Sequence, residues 1–128
     1  MESPSKSRSI LLVEDDEVLR GLLTQNLEFE GLGFSVASNG QEGLEMARRD
    51  PPNLIITDLE MPVLDGFAFL KALQADSRLR TIPVIVLSVM VEKEHRQRAR
   101  DLGAAAFINK PCTIREIMDA IKACVGSG

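Results

Sequence analysis

Six polar side chains of this sequence stand at or just after the ends of short apolar runs: Glu14, Asp15, Asp16, Asp58, Ser88 and Lys110. Carboxylates gathered in one place repel one another and raise one another's pKa unless a cation lies between them. An all-oxygen ligand set suits a hard ion such as Mg²⁺, which keeps some of its waters. A lysine beside such an ion adds a second positive charge, and together they can hold a phosphoryl group. These residue types therefore indicate metal-assisted phosphoryl chemistry.

The apolar runs that carry these residues predict the strands. Runs 10–13, 54–56, 84–87 and 104–108 are short and continuous, as in strands buried on both faces, whereas 34–37 alternates like an edge strand. Amphipathic stretches between them predict five helices: from residue 18 to a stop at Gly31, from about 39 to before Pro51, from Asp65 through Leu73, from about 92 to 102 with a stop at Gly103, and from 113 to 125. The last helix opens with a capping-box pattern at Thr113 and Glu116. The apolar face predicted for the first helix consists of Val18, Leu19, Leu22, Leu23 and Leu27.

Strands and helices thus alternate along the whole chain, which predicts an α/β fold with a doubly wound parallel sheet and helices on both of its faces. In such sheets, ligands bind at the carboxyl ends of the strands, where the strand order reverses. Because the polar residues listed above all follow strands, we expect them to meet at that edge.

Length and charge narrow the functional classes. A chain of 128 residues with 45% hydrophobic and 27% charged residues fits one globular domain and excludes disordered and fibrous classes. No apolar run approaches the ~20 residues of a membrane span, and the polar stretch 1–8 lacks the core of a signal peptide. A net charge of -4 disfavours direct contact with nucleic acid or an anionic membrane. We therefore expect a cytoplasmic protein that binds neither.

The cysteines and the histidine suggest no further site. Cys112 and Cys124 show neither metal-ligand spacing nor a disulfide framework, so we expect two small apolar side chains in a reducing compartment. His95 is the sole histidine, which excludes a multi-histidine metal site. It lies in a charged run, 92–101, that we expect to form the solvated face of the fourth helix.

In the order and spacing of these motifs, the chain resembles the receiver domain of two-component response regulators. The resemblance rests on segments 10–16, 56–66, 86–88 and 109–111. It implies a (βα)5 flavodoxin-like fold with a five-stranded parallel sheet in the order 2-1-3-4-5. It also implies a receiver domain over residues 9–125, with a flexible tail at 1–8 and a second tail at 126–128.

The resemblance implies a role for each acidic residue. Asp58 would be the phosphoacceptor, whose carboxylate attacks a phosphohistidine and becomes an aspartyl phosphate. Asp15, Asp58 and the backbone carbonyl of Glu60 would bind Mg²⁺, and Glu14 would contribute through water. Asp16 would be a flanking residue.

The resemblance also implies a conformational switch. Lys110 and the hydroxyl of Ser88 would each bind a phosphoryl oxygen, and Lys110-Pro111 matches the family's cis bond. Ser88 and Phe107 would be the switch residues that alter the surface of the fourth helix, fifth strand and fifth helix. The partners would be a sensor histidine kinase or a histidine phosphotransfer protein, with a homodimer formed through that surface. Such a signalling domain is not an enzyme, since it catalyses only its own phosphoryl transfer and slow dephosphorylation.

Other hypotheses compete with this one. An Mg²⁺-dependent phosphatase with an aspartyl nucleophile also uses an Asp after a strand, but it typically has a second Asp two residues on, where this chain has Glu60. A flavodoxin-like electron carrier would share the fold, yet Glu14, Asp15 and Asp16 would repel the phosphate of FMN. A pseudo-receiver would bind a partner without phosphorylation. The acids at 14–16 by themselves fit a helix N-terminus.

Overall fold

The computed structural model describes residues 9–61 and 63–125 of the chain. Five strands and five helices alternate along them: β1 Ser9–Val13, α1 Glu17–Phe29, β2 Gly33–Ala37, α2 Gly40–Arg49, β3 Leu54–Asp58, α3 Gly66–Ala75, β4 Val84–Ser88, α4 Lys93–Asp101, β5 Ala106–Asn109 and α5 Ile114–Val125. The tails expected at 1–8 and 126–128 lie outside the described residues. Within the described ranges, no helix is both long and apolar enough to cross a membrane.

The strands form one sheet in the order β2-β1-β3-β4-β5, with every neighbouring pair parallel. The chain therefore moves from β1 outward to β2 and then returns to the other side of β1 with β3. This reversal places the ends of β1 and β3 next to each other, with Val13 paired to Thr57. The predicted α/β class, parallel sheet and strand order are confirmed.

Helices cover both faces of the sheet, because successive residues of each strand point to opposite sides. Leu11 and Val13 pack with the buried side chains of α2, α3 and α4. Ile10 and Leu12 pack instead with those of α1 and α5, where Cys112 and Cys124 also lie as partly buried apolar side chains. Every residue of β3 and β4 is buried, as the continuous apolar runs predicted.

Two sequence expectations about burial are wrong. The run 104–108 predicts a strand buried on both faces, but β5 begins at Ala106 and all its residues are only half-buried. The reason is that β5 is an edge strand of the sheet, as is the half-exposed β2 at the other edge. In α1, Val18 and Leu22 belong to the predicted apolar face, yet they are 73% and 46% exposed. The apolar stripe of α1 is wider than the surface that the sheet covers.

Several helix boundaries follow from local chemistry. The N–H of Ala68 donates to Asp65, which caps α3 as predicted. Thr113 and Glu116 exchange backbone-to-side-chain hydrogen bonds at the start of α5, which is the predicted capping box. After α1 and α4, Gly31 and Gly103 have φ values of +74° and +102°, a conformation that favours glycine. Each of these caps and turns involves residues only a few positions apart along the chain, and so the sequence reveals them.

Gly66 lets α3 begin directly against the end of β3. A Cβ at this position would lie 2.5 Å from the Cα of Leu59 and 2.7 Å from the carbonyl oxygen of Asp58. Backbone atoms cannot move aside as the end of a flexible side chain can. The glycine therefore fixes how closely α3 approaches the segment that carries Asp58.

We predict that Gly66→Ala lowers the free energy of unfolding by about 1–3 kcal/mol, because the added methyl overpacks the backbone of β3. Urea denaturation monitored by circular dichroism measures the change. Gly21→Ala is the matched control, since nothing lies within 4 Å of a Cβ at that helical position. It should raise the same free energy by roughly 0.5–1 kcal/mol. Equal stability of Gly66→Ala and the parent chain would contradict the close approach.

Candidate functional site

The three acids after β1 have different surroundings. Asp16 caps α1 by accepting hydrogen bonds from the N–H groups of Val18 and Leu19, at 2.9 and 3.2 Å. Glu14 is instead fully buried, and its Oε2 accepts from the N–H of Asp16 at 3.1 Å. Asp15 is exposed to solvent. The helix-terminus interpretation thus holds for Asp16, whereas Glu14 and Asp15 turn towards the sheet edge.

Glu14, Asp15 and Asp58 come together at that edge. Each offers a carboxylate oxygen, and these oxygens lie within 4.8 Å of one another. The ammonium of Lys110, at the end of β5, lies 2.8 Å from Oδ2 of Asp58 and 3.4 Å from Oε1 of Glu14. The Lys110–Pro111 peptide bond is cis, as the family resemblance implies. The end of β3 and the segments that follow β1 and β5 therefore contribute to one site, as expected for a parallel sheet.

The charges of this site are strongly coupled. Burial raises the pKa of the Asp58 carboxyl, the charge of Glu14 adds to the increase, and the hydrogen bond from Lys110 offsets only part of it. Burial acts in the opposite direction on Lys110, but the hydrogen bond and charge of Asp58, with those of Glu14, raise the pKa of the ammonium overall. A lysine that stays charged thus sits beside Asp58, a carboxylate that burial makes costly to ionise.

Ser88 lies at the end of β4 and forms a pair that the sequence did not reveal. Its hydroxyl donates to Oε2 of Glu60 at 2.6 Å, and the N–H of Val89 donates to Oε1 of Glu60 at 3.3 Å. The backbone N–H of Glu60 donates to Oδ1 of Asp58 at 3.2 Å. The family resemblance implies a role only for the backbone carbonyl of Glu60, as a metal ligand. The side chain was missed because its partner lies far away along the chain.

Phe107 is half-buried in β5 and packs against the core under α4. The guanidinium of Arg96 lies over its ring, 5.3 Å from the centroid, and donates to Oδ1 of Asn109 at 2.6 Å. Asn109 in turn donates to the carbonyl of Met90 at 2.6 Å. The run 92–101 is mostly solvated, as predicted, but Arg96 connects it to β5 and to the segment after β4.

The comparisons with known proteins agree with this geometry. The sequence model of the response regulator receiver domain matches residues 10–122. The chain belongs to this family. It is 34% identical over 119 residues to the polar-differentiation response regulator DivK of Brucella anthropi, a match that covers 93% of this chain and 97% of that protein. This receiver domain is therefore a module of two-component phosphorelay signalling.

Solved structures extend the likeness to three dimensions. The receiver domain of a signal transduction histidine kinase from Syntrophus aciditrophicus has a TM-score of 0.84 at 34% identity, over 91% of this chain and 89% of that one. The receiver domain of the sensor histidine kinase PA1611 from Pseudomonas aeruginosa has a TM-score of 0.84 at 25% identity, over 93% and 98%. In that structure a magnesium ion is coordinated in the active site cleft.

The family decides among the functional hypotheses. A signalling receiver is supported over a flavodoxin-like electron carrier and over a phosphatase with an aspartyl nucleophile, since the match spans nearly all of the described sheet and helices. The acidic cluster of Glu14, Asp15 and Asp58 can hold a metal ion.

We predict that Asp58→Asn raises the free energy of unfolding at neutral pH, measured by urea denaturation with a chelator present. Because burial raises the pKa of Asp58, the folded chain binds the proton more tightly than the unfolded chain. Ionisation of Asp58 therefore costs stability above the raised pKa, and this cost vanishes below the ordinary carboxyl pKa. The advantage of the variant should shrink as the pH falls through that window. Asp119→Asn, on the exposed side of α5, is the control for the change in net charge. A variant less stable than the parent at neutral pH would contradict this prediction.

Proposed function

We propose that this receiver domain accepts a phosphoryl group on Asp58 from a histidine kinase or a histidine phosphotransfer protein, in a reaction that depends on Mg²⁺. The observation that carries the proposal is the position of the Asp58 carboxylate. It is 4% exposed at the sheet edge, with the Lys110 ammonium at 2.8 Å and the carboxylates of Glu14 and Asp15 beside it.

In phosphoryl transfer, the protein mainly positions the reacting groups and stabilises the charge that develops on the phosphoryl oxygens. A carboxylate oxygen of Asp58 forms a bond to phosphorus while the bond from phosphorus to the donor imidazole breaks, and the electron pair of that bond returns to the imidazole nitrogen. Negative charge spreads over the three equatorial oxygens during the transfer. Lys110 is placed to neutralise one of these oxygens, and Ser88 can donate a hydrogen bond to another once it turns from Glu60.

The residues at the edge fit a magnesium ion. The donor set consists of oxygens only: the carboxylates of Glu14, Asp15 and Asp58 lie within 4.8 Å of one another, and the backbone carbonyl of Glu60 is the further ligand that the family resemblance implies. Hard oxygen ligands of this kind are what Mg²⁺ prefers. When bound, the ion neutralises charge on the phosphoryl oxygens. Of the solved relatives, the Pseudomonas receiver holds magnesium in its cleft, which supports the same assignment here.

A protein donor is supported by the surface around the site. Val18 and Leu22 on α1 are 73% and 46% exposed, and Val89 after β4 is 59% exposed. Val18 follows Asp15 by three positions, and Val89 directly follows Ser88. Apolar side chains left in water near a reactive group are suited to dock a partner, whose binding energy then positions the phosphohistidine.

The acceptor is tested by incubating the chain with acetyl phosphate and Mg²⁺, followed by intact mass spectrometry. We expect one added phosphoryl group, labile to hydroxylamine, and none on Asp58→Asn. Asp119→Asn is the matched control and should be phosphorylated like the parent. Undiminished phosphorylation of Asp58→Asn would overturn the assignment, and an unmodified parent chain would favour a pseudo-receiver. Steady hydrolysis of a small phosphoester beyond one equivalent would favour a phosphatase instead of a domain that modifies only itself.

We further propose that Ser88 and Phe107 carry the signal to the surface of α4, β5 and α5, through which a homodimer forms. Arg96 and Asn109 support this proposal, because they tie α4 to β5 and to the segment that follows Ser88. Phe107 has no hydroxyl, so packing and the guanidinium of Arg96 must set its ring position.

We predict that trifluoroberyllate, a phosphoryl mimic, changes the amide resonances of residues 93–101 and 106–109 when bound with Mg²⁺. The reason is that both segments rest on the contacts of Arg96 and Asn109, which a moving Ser88 disturbs. Two-dimensional NMR records the resonances, and sedimentation velocity records dimer formation. The mimic without Mg²⁺ is the control. Resonance changes confined to the neighbourhood of Asp58 would contradict the coupling.

A further inference from the structure

We infer that the side chain of Glu60 is a latch on the switch hydroxyl. In the unphosphorylated chain its carboxylate accepts the hydrogen bond that the Ser88 hydroxyl donates. A phosphoryl group on Asp58 must compete with Glu60 for that hydrogen bond. The inference rests on the proposed phosphorylation of Asp58 and makes Glu60 a positioning residue that sets how readily the switch responds.

The hydrogen-bonding capacity of Ser88 carries the argument. A serine hydroxyl has one proton to donate. Ser88 is fully buried, and its proton lies on the hydrogen bond to Oε2 of Glu60, at 2.6 Å. The hydroxyl oxygen of Ser88 itself accepts a hydrogen bond from the N–H of Met90 at 2.9 Å. The hydroxyl therefore cannot donate to a phosphoryl oxygen while the bond to Glu60 persists.

Glu60 is also fixed at both ends. Its backbone N–H donates to Oδ1 of Asp58 at 3.2 Å, and its Oε1 accepts from the N–H of Val89 at 3.3 Å. The pairing of Asp58 with Leu87 between β3 and β4 brings these segments side by side. One residue thus joins the acceptor carboxylate to the switch hydroxyl and to the segment that leads into α4.

Phosphorylation opposes this arrangement in two ways. A phosphoryl group provides strong acceptor oxygens that compete for the single proton of Ser88. It also places negative charge beside the carboxylate of Glu60, and like charges repel. Because hydrogen bonds to charged groups are stronger than neutral ones, breaking the latch has a real cost in free energy. Removing the latch should therefore favour the switched state, on the order of ten-fold in equilibrium.

The test is a double-mutant cycle on the affinity for trifluoroberyllate at saturating Mg²⁺, measured by isothermal titration calorimetry. The variants are Glu60→Ala, Ser88→Ala and the double variant. We expect Glu60→Ala to tighten binding about ten-fold more in the Ser88 background than in the Ser88→Ala background. Equal gains in the two backgrounds would overturn the latch, because charge repulsion alone would then explain them. No gain in the Ser88 background would overturn it as well.

Two further variants sharpen the cycle. Glu60→Gln keeps an uncharged acceptor and should give a smaller gain than Glu60→Ala, which also guards against misfolding of the alanine variant. Glu45→Ala, on the exposed side of α2, removes the same charge elsewhere and should bind the mimic like the parent.

A readout without the mimic separates this inference from the proposed function. Three-bond couplings in NMR report the χ1 rotamer of Ser88, and we expect Glu60→Ala to redistribute it in the unphosphorylated chain. An unchanged rotamer would overturn the latch. Failure of every variant, the parent included, to bind the mimic would instead overturn the role of Asp58 as acceptor.

Discussion

The ion pair between Lys110 and Asp58 offsets the electrostatic repulsion among carboxylates that the fold brings together. Parallel strands bring their carboxyl ends to one edge, and this chain places Glu14, Asp15 and Asp58 there with oxygens within 4.8 Å of one another. Burial, with the charge of Glu14, disfavours the ionised form of Asp58. Lys110 neutralises part of this charge at 2.8 Å from Asp58. The site is thus stable enough to form and still retains negative charge that attracts a cation.

The same imbalance supports the proposed phosphoryl transfer. In that proposal the buried carboxylate of Asp58 is the nucleophile, and the nearby ammonium of Lys110 stabilises the charge that develops on the phosphoryl group. The loops that hold it are positioned by strands β1, β3 and β5, whose residues pack between two layers of helices. Gly66 adds a close backbone contact that brings α3 against the carbonyl of Asp58. Rigid packing on both faces therefore holds the reactive groups in place.

Around this rigid centre, the contacts of Ser88 and Phe107 are polar and more easily exchanged. Glu60 binds Ser88, and Arg96 lies over Phe107 and binds Asn109. These pairs join the segment after β4 to α4 and to the half-buried β5. Since β5 is an edge strand, fewer apolar contacts resist its rearrangement than those that hold β3 and β4. These contacts support the proposal that phosphorylation of Asp58 alters the surface of α4, β5 and α5 while the core stays unchanged.

The sequence by itself determined the features that depend on neighbours along the chain. Apolar runs gave the strands, Asp65 and Thr113 marked helix starts, and Gly31 and Gly103 marked helix ends, because caps and turns involve residues only a few positions apart. The order of the motifs also indicated the family and the residues at the sheet edge. Tertiary structure alone decided the exposure of Val18 and Leu22, the half-burial of β5, and the partners of Glu60 and Arg96. Ser88 and Glu60, for example, are 28 positions apart, and no periodicity in a sequence encodes a distance between side chains on different strands. Such contacts form only when the strands pair in register and the helices pack against the sheet, because packing determines which part of each helix's apolar surface is buried.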